Sequence, residues 1–505
     1  MIGSKNKSPQ PIPPTHKGSM QGAGISANGR HFITHTSLSI EKTAFNSLTL
    51  GQKMFIVTLA LIIIYRLTAD PLGTIVGFLG ILSAIYFLDV VFHLFLIVKS
   101  LGSESDIKFE KDEILTLNDQ ELPVYTILCP QYKESKVITR FLAAIEKISW
   151  PKEKLDVILL LEQDDTETLE EVSRQNLPSY IRTVIVPPSA PKTKPKACNF
   201  GLSLARGEYL VIYDAEDEPE PFQLKKAYLG FRKVPSDVIC LQAKLNYYNS
   251  HQNLLTRLFT AEYSLWFDVI LPGLQMMETA IPLGGTSNHF KTADLQKLEG
   301  WDAFNVTEDA DLGIRLFKAG YKTAIIDSTT FEEATSKLGN WIRQRSRWIK
   351  GYVQTYFVNM RNPTIFFKKY GFHAWVFQLL LGGKIVFCFI NPVLWIMTIS
   401  YFALHSLVGP TIEAIYPPYI YYIALTSLVF GNFMFFYVYM IGCAKRSQWT
   451  ILRYLFILPI YWLLISVATA VASYQFIVKP HFWEKTNHGL DLRDSSVPNP
   501  VWRAV

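Results

Sequence analysis

The stretch Tyr209-Leu210-Val211-Ile212-Tyr213-Asp214-Ala215-Glu216-Asp217 decides how the chain reads. Its first five residues suit a strand buried on both faces, and the run stops abruptly at three carboxylates. Outside it, short β-branched runs at 124–129, 157–161, 183–186 and 238–241 alternate with amphipathic stretches such as 137–148 and 221–231. That alternation predicts βαβ units and a mostly parallel sheet. In such sheets ligands sit beyond the carboxyl ends of the strands, where this run turns acidic.

On either side the composition changes. Of 505 residues 49% are hydrophobic and only 18% charged, against roughly 25% charged in soluble domains. The deficit lies in apolar runs at 54–67 and 72–98, with the turn Asp70-Pro71 between them, and again at 372–404, 419–443 and 454–478. About 17 residues suffice for a span. The expected organisation is a flexible polar tail at 1–50, two transmembrane helices at 51–99, an α/β domain at 100–371, transmembrane and interfacial helices at 372–478, and a cytoplasmic tail at 479–505. Lys445, Arg446 and Arg453 mark the loop 444–453 as cytoplasmic, whereas 405–418 carries no Lys or Arg. With the tail placed inside by Lys479, Lys485, Arg493 and Arg503, parity means the last run does not cross once, and Pro459 is expected to break it into an interfacial or re-entrant pair. The alternative is a simple fifth span with the tail outside. Lys384 lies inside an apolar run, where a central charge costs roughly 2.5–3.5 kcal/mol. It is expected at the junction of an interfacial helix with a span, or in a polar cavity. The net charge of +6 is unclustered, which argues against a nucleic-acid partner, and five dispersed cysteines argue against a disulfide framework or zinc site.

Three motifs carry chemistry. Carboxylates one residue apart in Asp214-Ala215-Glu216-Asp217 can chelate Mg²⁺ or Mn²⁺, which in turn holds a diphosphate; an acidic turn of this kind also occurs as a plain solvated loop. Thr307-Glu308-Asp309-Ala310-Asp311 opens a helical pattern, where Thr307 can cap and the acids complement the dipole; one carboxylate aimed at a hydroxyl would be a general base. In Gln344-Arg345-Ser346-Arg347-Trp348, helical spacing puts Gln344, Arg347 and Trp348 on one face. The arginine fork suits diphosphate and the indole suits a sugar ring, although a basic aromatic helix at a lipid interface looks similar. At other strand ends, Tyr132 can pack on a base, Glu134 and the acids Glu162, Asp164 and Asp165 can accept from base or ribose, and Lys194-Pro195-Lys196 supplies cations.

Taken in order, these motifs resemble the membrane-bound family 2 glycosyltransferases, the group of the cellulose, hyaluronan and chitin synthases, over roughly residues 54–490. The resemblance implies a cytoplasmic α/β domain of GT-A type (a Rossmann-like mixed sheet) flanked by transmembrane helices, a nucleotide-sugar donor and inversion at the anomeric carbon. It implies Asp309 as the catalytic base. Tyr132, Glu134, Asp164, Lys196, Asp214 and Arg347 would bind the nucleotide sugar. Gly285, Thr286, Glu308, Gln344 and Trp348 would bind the acceptor, the glycines of 282–288 letting a sugar approach the backbone. Asp214 and Glu216 would hold the metal, with the second ligand open between Glu216 and Asp217. Lys485, Thr486 and His488 lie where related synthases have a gating segment. The implied activity is extension of a β-linked polysaccharide, with UDP-glucose as donor and a growing glycan as acceptor. Membrane lipid would surround the helices, in a plasma or inner membrane, and an export subunit is a further expected partner. The alternatives are a non-processive transferase that glycosylates a lipid and, more remotely, a transporter or membrane scaffold.

Overall fold

The computed structural model describes residues 9–15, 20–101 and 106–483. Three short strands, β1 (Gln10–Ile12), β2 (Gly24–Ala27) and β3 (Arg30–Ile33), form a small antiparallel sheet. The main sheet is built from β4 (Tyr125–Gln131), β5 (Leu155–Glu162), β6 (Ile181–Val186), β7 (Tyr209–Ile212), β8 (Glu218–Pro219), β9 (Val238–Tyr247), β10 (Asn288–Lys291) and β11 (Lys322–Glu332). Its order is β6-β5-β4-β7-β10-β9-β11-β8. The pairs β4·β5, β4·β7, β5·β6 and β9·β11 are parallel, whereas β10 runs antiparallel to both its neighbours. All five expected strands are present. The strands β8, β10 and β11 went unread: β8 has two residues, and Asn288-His289-Phe290-Lys291 of β10 is too short and too polar to show a period. Every residue of β5 is buried, as a strand covered on both faces requires.

Nine of the helices among the described residues frame the sheet and the apolar region: α1 (Leu50–Ala69), α2 (Pro71–Leu101), α3 (Lys194–Leu202), α4 (Leu254–Leu265), α5 (Glu308–Lys318), α6 (Leu338–Asn359), α7 (Lys384–Ala403), α8 (Pro418–Lys445) and α9 (Leu458–Val478). Among the described residues, five helical stretches are long and apolar enough to cross a membrane: 50–69, 71–101, 372–403, 418–445 and 449–478. Helix α2 packs on α8, and α1 touches little besides α2.

Two expectations need correction. The last run changes from a 3-10 helix, Trp449–Ile457, to α9 beside Pro459, but no re-entrant pair follows. Pro459 stands in the first turn of α9, where its missing N–H costs nothing, and one 21-residue helix runs on. Both ends of α9 nevertheless reach the α/β unit. Tyr461 donates to Glu262 at 2.6 Å, and Gln475 accepts from Lys350 at 3.2 Å, because α9 lies lengthwise on α6. Nor is 20–49 a free tail. Ile25 and Ala44 are buried with Phe304 and Val358, and the Arg361 guanidinium donates to the carbonyls of Ile40, Glu41, Thr43 and Asn46. Apolar residues spaced too widely for any period carry this docking, so no pattern announced it. The basic loop before α9 meets the α/β unit as well: Lys445 donates to the Asp268 carbonyl at 2.8 Å and Arg446 pairs with its carboxylate.

Candidate active site

One cavity of about 470 Å³ joins the carboxyl ends of the strands to the apolar helices. Three groups of residues wall it. After β4 and β7 come Tyr132, Glu134, Asp214 and Glu216, with Lys192 and Lys194 leading into α3. Opposite them stand Gly284, Gly285 and Thr286, then Glu308 and Asp309 at the start of α5, Gln344, Arg347 and Trp348 on α6, and Trp483. The third wall is helical: Tyr86, Asp89 and His93 on α2, Lys384 and Cys388 on α7, and Trp462 on α9.

In the first acidic cluster the carboxylates divide. Asp217 is fully buried and turned inward, accepting from the Asp214 N–H at 2.7 Å and the Thr286 hydroxyl. It shapes the turn. Asp214 and Glu216 face the cavity instead, so Glu216, not Asp217, is the second carboxylate available to a cation. Burial, and then the charge of Asp214, pushes the Glu216 carboxyl up, and the Lys194 ammonium pairs with Asp214. Burial opposes the charge on Lys194, but Asp214 and Glu308 outweigh it and raise its pKa. Two half-buried carboxylates on the cavity wall fit Mg²⁺ or Mn²⁺, which take one or two carboxylates and complete their shell with phosphate and water. No group of three His, Cys, Asp or Glu side chains suited to a metal occurs among the described residues.

The second cluster opens α5. Asp309 Oδ1 accepts from the Ala310 N–H at 2.7 Å, leaving its other oxygen toward the cavity. A Cβ at Gly285 would lie 3.3 Å from Asp309 Oδ2, so the glycine keeps that approach open. Burial raises the Asp309 carboxyl, and burial and Asp309 raise Glu308, while Lys194 and Arg347 pull both down. Asp311, two residues on, turns away to Arg315 at 2.9 Å.

Helix α6 supplies the opposite charge. Arg347 lies in the field of Glu308, Asp309 and Asp214, its guanidinium carbon 4.8 Å from the Trp483 ring. Its Nε is buried without a hydrogen-bond partner among the described residues. Arg347 lines the cavity, and a guanidinium with an unpaired donor at that wall suits an anionic ligand. Gln344 accepts from the Thr335 hydroxyl at 3.0 Å. Trp348 stands against Phe259 and Tyr263, supported by Arg345, which makes a forked pair with Glu262 at 2.8 and 2.5 Å.

Two expected donor-site residues lie elsewhere. Lys196 is completely buried and paired with Glu162 at 2.9 Å; the cavity takes Lys194 in its place. Residues two apart on a helix point to different sides, so choosing between the two lysines required the orientation of α3. Asp164 is half exposed at the rim, paired with Lys192, which also stands 5.0 Å from the Tyr132 ring. Thr286 does line the cavity, but its hydroxyl is engaged by Ile212 O and Asp217. Lys485, Thr486 and His488 lie outside the described residues. Sequence reading passed over Glu262, Tyr263 and Tyr352, which no local motif distinguishes. Lys384, flagged by its charge alone, opens α7 below Trp266 and Tyr352 and lines the cavity.

Residues 123–351 match the sequence profile of the family described as glycosyltransferase like family 2. The probable glycosyltransferase YdaM of Bacillus subtilis (strain 168) is 26% identical over 320 residues, which cover 59% of this chain and 76% of that protein. The probable glucomannan 4-beta-mannosyltransferase 7 of Oryza sativa subsp. japonica is 26% identical over 266 residues, and the match spans 50% of this chain but only 45% of that relative. Among solved structures, the mannosyltransferase PcManGT from Pyrobaculum calidifontis in complex with GDP-Man and Mn²⁺ aligns at 15% identity and a TM-score of 0.48. That alignment covers 80% of this chain and 99% of the other.

Proposed function

We propose that this chain, an enzyme whose residues 123–351 form a glycosyltransferase family 2 domain of GT-A type, extends a β-linked glycan with hexose from a nucleotide sugar and passes the product between its apolar helices. The observation that carries the reading is the continuity of the cavity, from Asp214 and Arg347 through Trp348 to Tyr86 and Trp462. In the reaction an acceptor hydroxyl attacks the anomeric carbon. A new C–O bond forms there, the bond to the diphosphate breaks on the opposite face, and the hydroxyl proton passes to Asp309. Arg347 holds the departing nucleoside diphosphate, Trp348 floors the acceptor, and Gly285 lets the sugar lie near the base. Asp214 and Glu216 would hold Mg²⁺ or Mn²⁺, which when bound offsets diphosphate charge.

Four helices, α1, α2, α7 and α8, would cross the membrane, with α9 at its surface. The α/β domain and the basic loop 444–453 then share the cytoplasmic side. UDP-glucose is the donor expected from sequence, and the mannosyltransferases among the relatives make GDP-mannose its competitor. The test is to supply the purified chain with each labelled donor and Mn²⁺ or Mg²⁺, then size the product and determine its linkage. A polymer made from one donor is expected. A single sugar on a lipid would overturn processive extension, and full function of Asp309→Asn would favour a transporter or scaffold.

A further inference from the structure

Residues 20–49 line no part of the cavity, yet they meet two segments that run straight into it. The Asp302 carboxylate accepts from the Ala44 N–H at 2.6 Å and from the Phe304 N–H at 3.0 Å, so one side chain ties the N-terminal segment to the loop ahead of α5. The Phe45 ring meets Phe304 edge-on with centroids 5.0 Å apart, and lies parallel to the His481 imidazole at 6.4 Å. His481 closes the triangle. Its Nε2 is 3.0 Å from the Phe45 carbonyl and its Nδ1 is 3.3 Å from the Phe304 carbonyl, while its ring packs on Phe304 at 5.4 Å.

Phe304 stands five residues before Asp309, and His481 two residues before Trp483. The strap around His481 is also held by α6, since Lys350 donates to Phe482 O at 2.7 Å and Gln354 to Pro480 O at 3.0 Å. Gln354 reaches Phe304 O as well, at 3.3 Å. The junction therefore joins the N-terminal segment, the Asp309 loop, the Trp483 strap and the helix bearing Arg347.

We infer that Phe45 and His481 are positioning residues, and that residues 20–49 brace the Asp309 loop against the Trp483 strap across the cavity. The inference rests on Asp309 being the base, as proposed above. A displacement near 1 Å at the base slows turnover while leaving the diphosphate contacts in place. Phe45→Ala and His481→Ala should therefore each lower kcat about tenfold with the donor KM within about twofold, and Phe45→Leu should recover most of the loss. Because Phe45, His481 and Phe304 form one mutually dependent triangle, the double variant should lose little more than either single one.

The test measures kcat per nucleotide-binding site on the full chain, so that lost protein is not counted as lost turnover. Thr36→Ala, which removes a hydroxyl bonded to Glu299 O at the far end of the segment, should leave kcat within twofold. Unchanged kcat in both junction variants, or losses that multiply in the double variant, would overturn the brace. Asp309→Asn separates the two readings. Full turnover there overturns the base assignment and the brace with it, whereas lost turnover there beside normal turnover in Phe45→Ala overturns the brace alone.

Discussion

The acids after β7 and those at the start of α5 face each other across one cavity, and in each cluster two point inward while a third is given to the fold. Asp217 holds the turn that presents Asp214 and Glu216; Asp311 holds Arg315, which in turn donates to the carbonyls of Leu298 and Gly300 beneath the Asp309 loop. The surroundings differ. Asp214 carries the Lys194 ammonium and lies close to Glu216, a pairing that suits a cation. Asp309 has a helix N-terminus behind it and open space above Gly285, which suits a proton in transit. On the proposed reading, two similar acidic clusters serve unequal chemistry, and the neighbours set the difference.

Substitutions can break that comparison. Asp309→Asn should lower kcat about 10³-fold, within the range for removing a general base, with donor binding by calorimetry unchanged. Asp214→Asn should act the other way, raising the Mn²⁺ concentration needed for half-maximal rate; equal responses from both variants would refute the division of labour. The two lysines of α3 extend the contrast. Lys196→Met leaves Glu162 buried and unpaired and should cost about 3–5 kcal/mol in urea unfolding, whereas Lys194→Met should spare stability and weaken nucleotide binding. At Arg347, replacement by Lys keeps the charge but loses the planar fork, so about a tenfold loss of kcat/KM is expected rather than full rescue.

The smallest expected effect concerns the docked segment. Burial, then Lys196, holds the His35 imidazole down at about 4, and its Nδ1 accepts from the Gly22 N–H at 3.1 Å. Because the undocked value is higher, the docked state keeps the neutral ring. Its contribution is complete above about pH 6.5 and is lost as pH falls toward 4. Hydrogen exchange across 20–49 should therefore quicken between pH 7 and pH 5 beyond the intrinsic change in rate, and His35→Phe should flatten that response.

Much of the molecule was legible from residue order. A strand is written in its own period and stops where acids begin, and long apolar helices are written in composition, so β4 to β7, β9 and the apolar segments could be read locally. The cavity-facing residues Tyr132, Glu134, Asp214, Glu216, Glu308, Asp309, Gln344, Arg347 and Trp348 were likewise named from motifs at strand ends, at a helix start or on one helical face, whereas Gly285 and Thr286 were expected only from the family resemblance. Where a side chain's role depends on which way an element is rolled, residue order was silent. Lys194 and Lys196 share a type and a loop, and only the packing of α3 sends one to the cavity and the other to Glu162. Asp164 sits one residue before Asp165, yet the first is at the rim with Lys192 and the second caps the helix Thr166–Arg174.

Local patterns therefore gave five strands of the main sheet, the apolar helices and the positions of the acidic and arginine motifs, because each depends on neighbours a few residues away. Packing between distant segments settled the rest: the docking of 20–49 on Phe304, the return of α9 to α6, and the single cavity that runs from Asp214 to Trp462. Those contacts join residues hundreds of positions apart, and burial of unlike side chains against one another leaves no period in the chain that makes them.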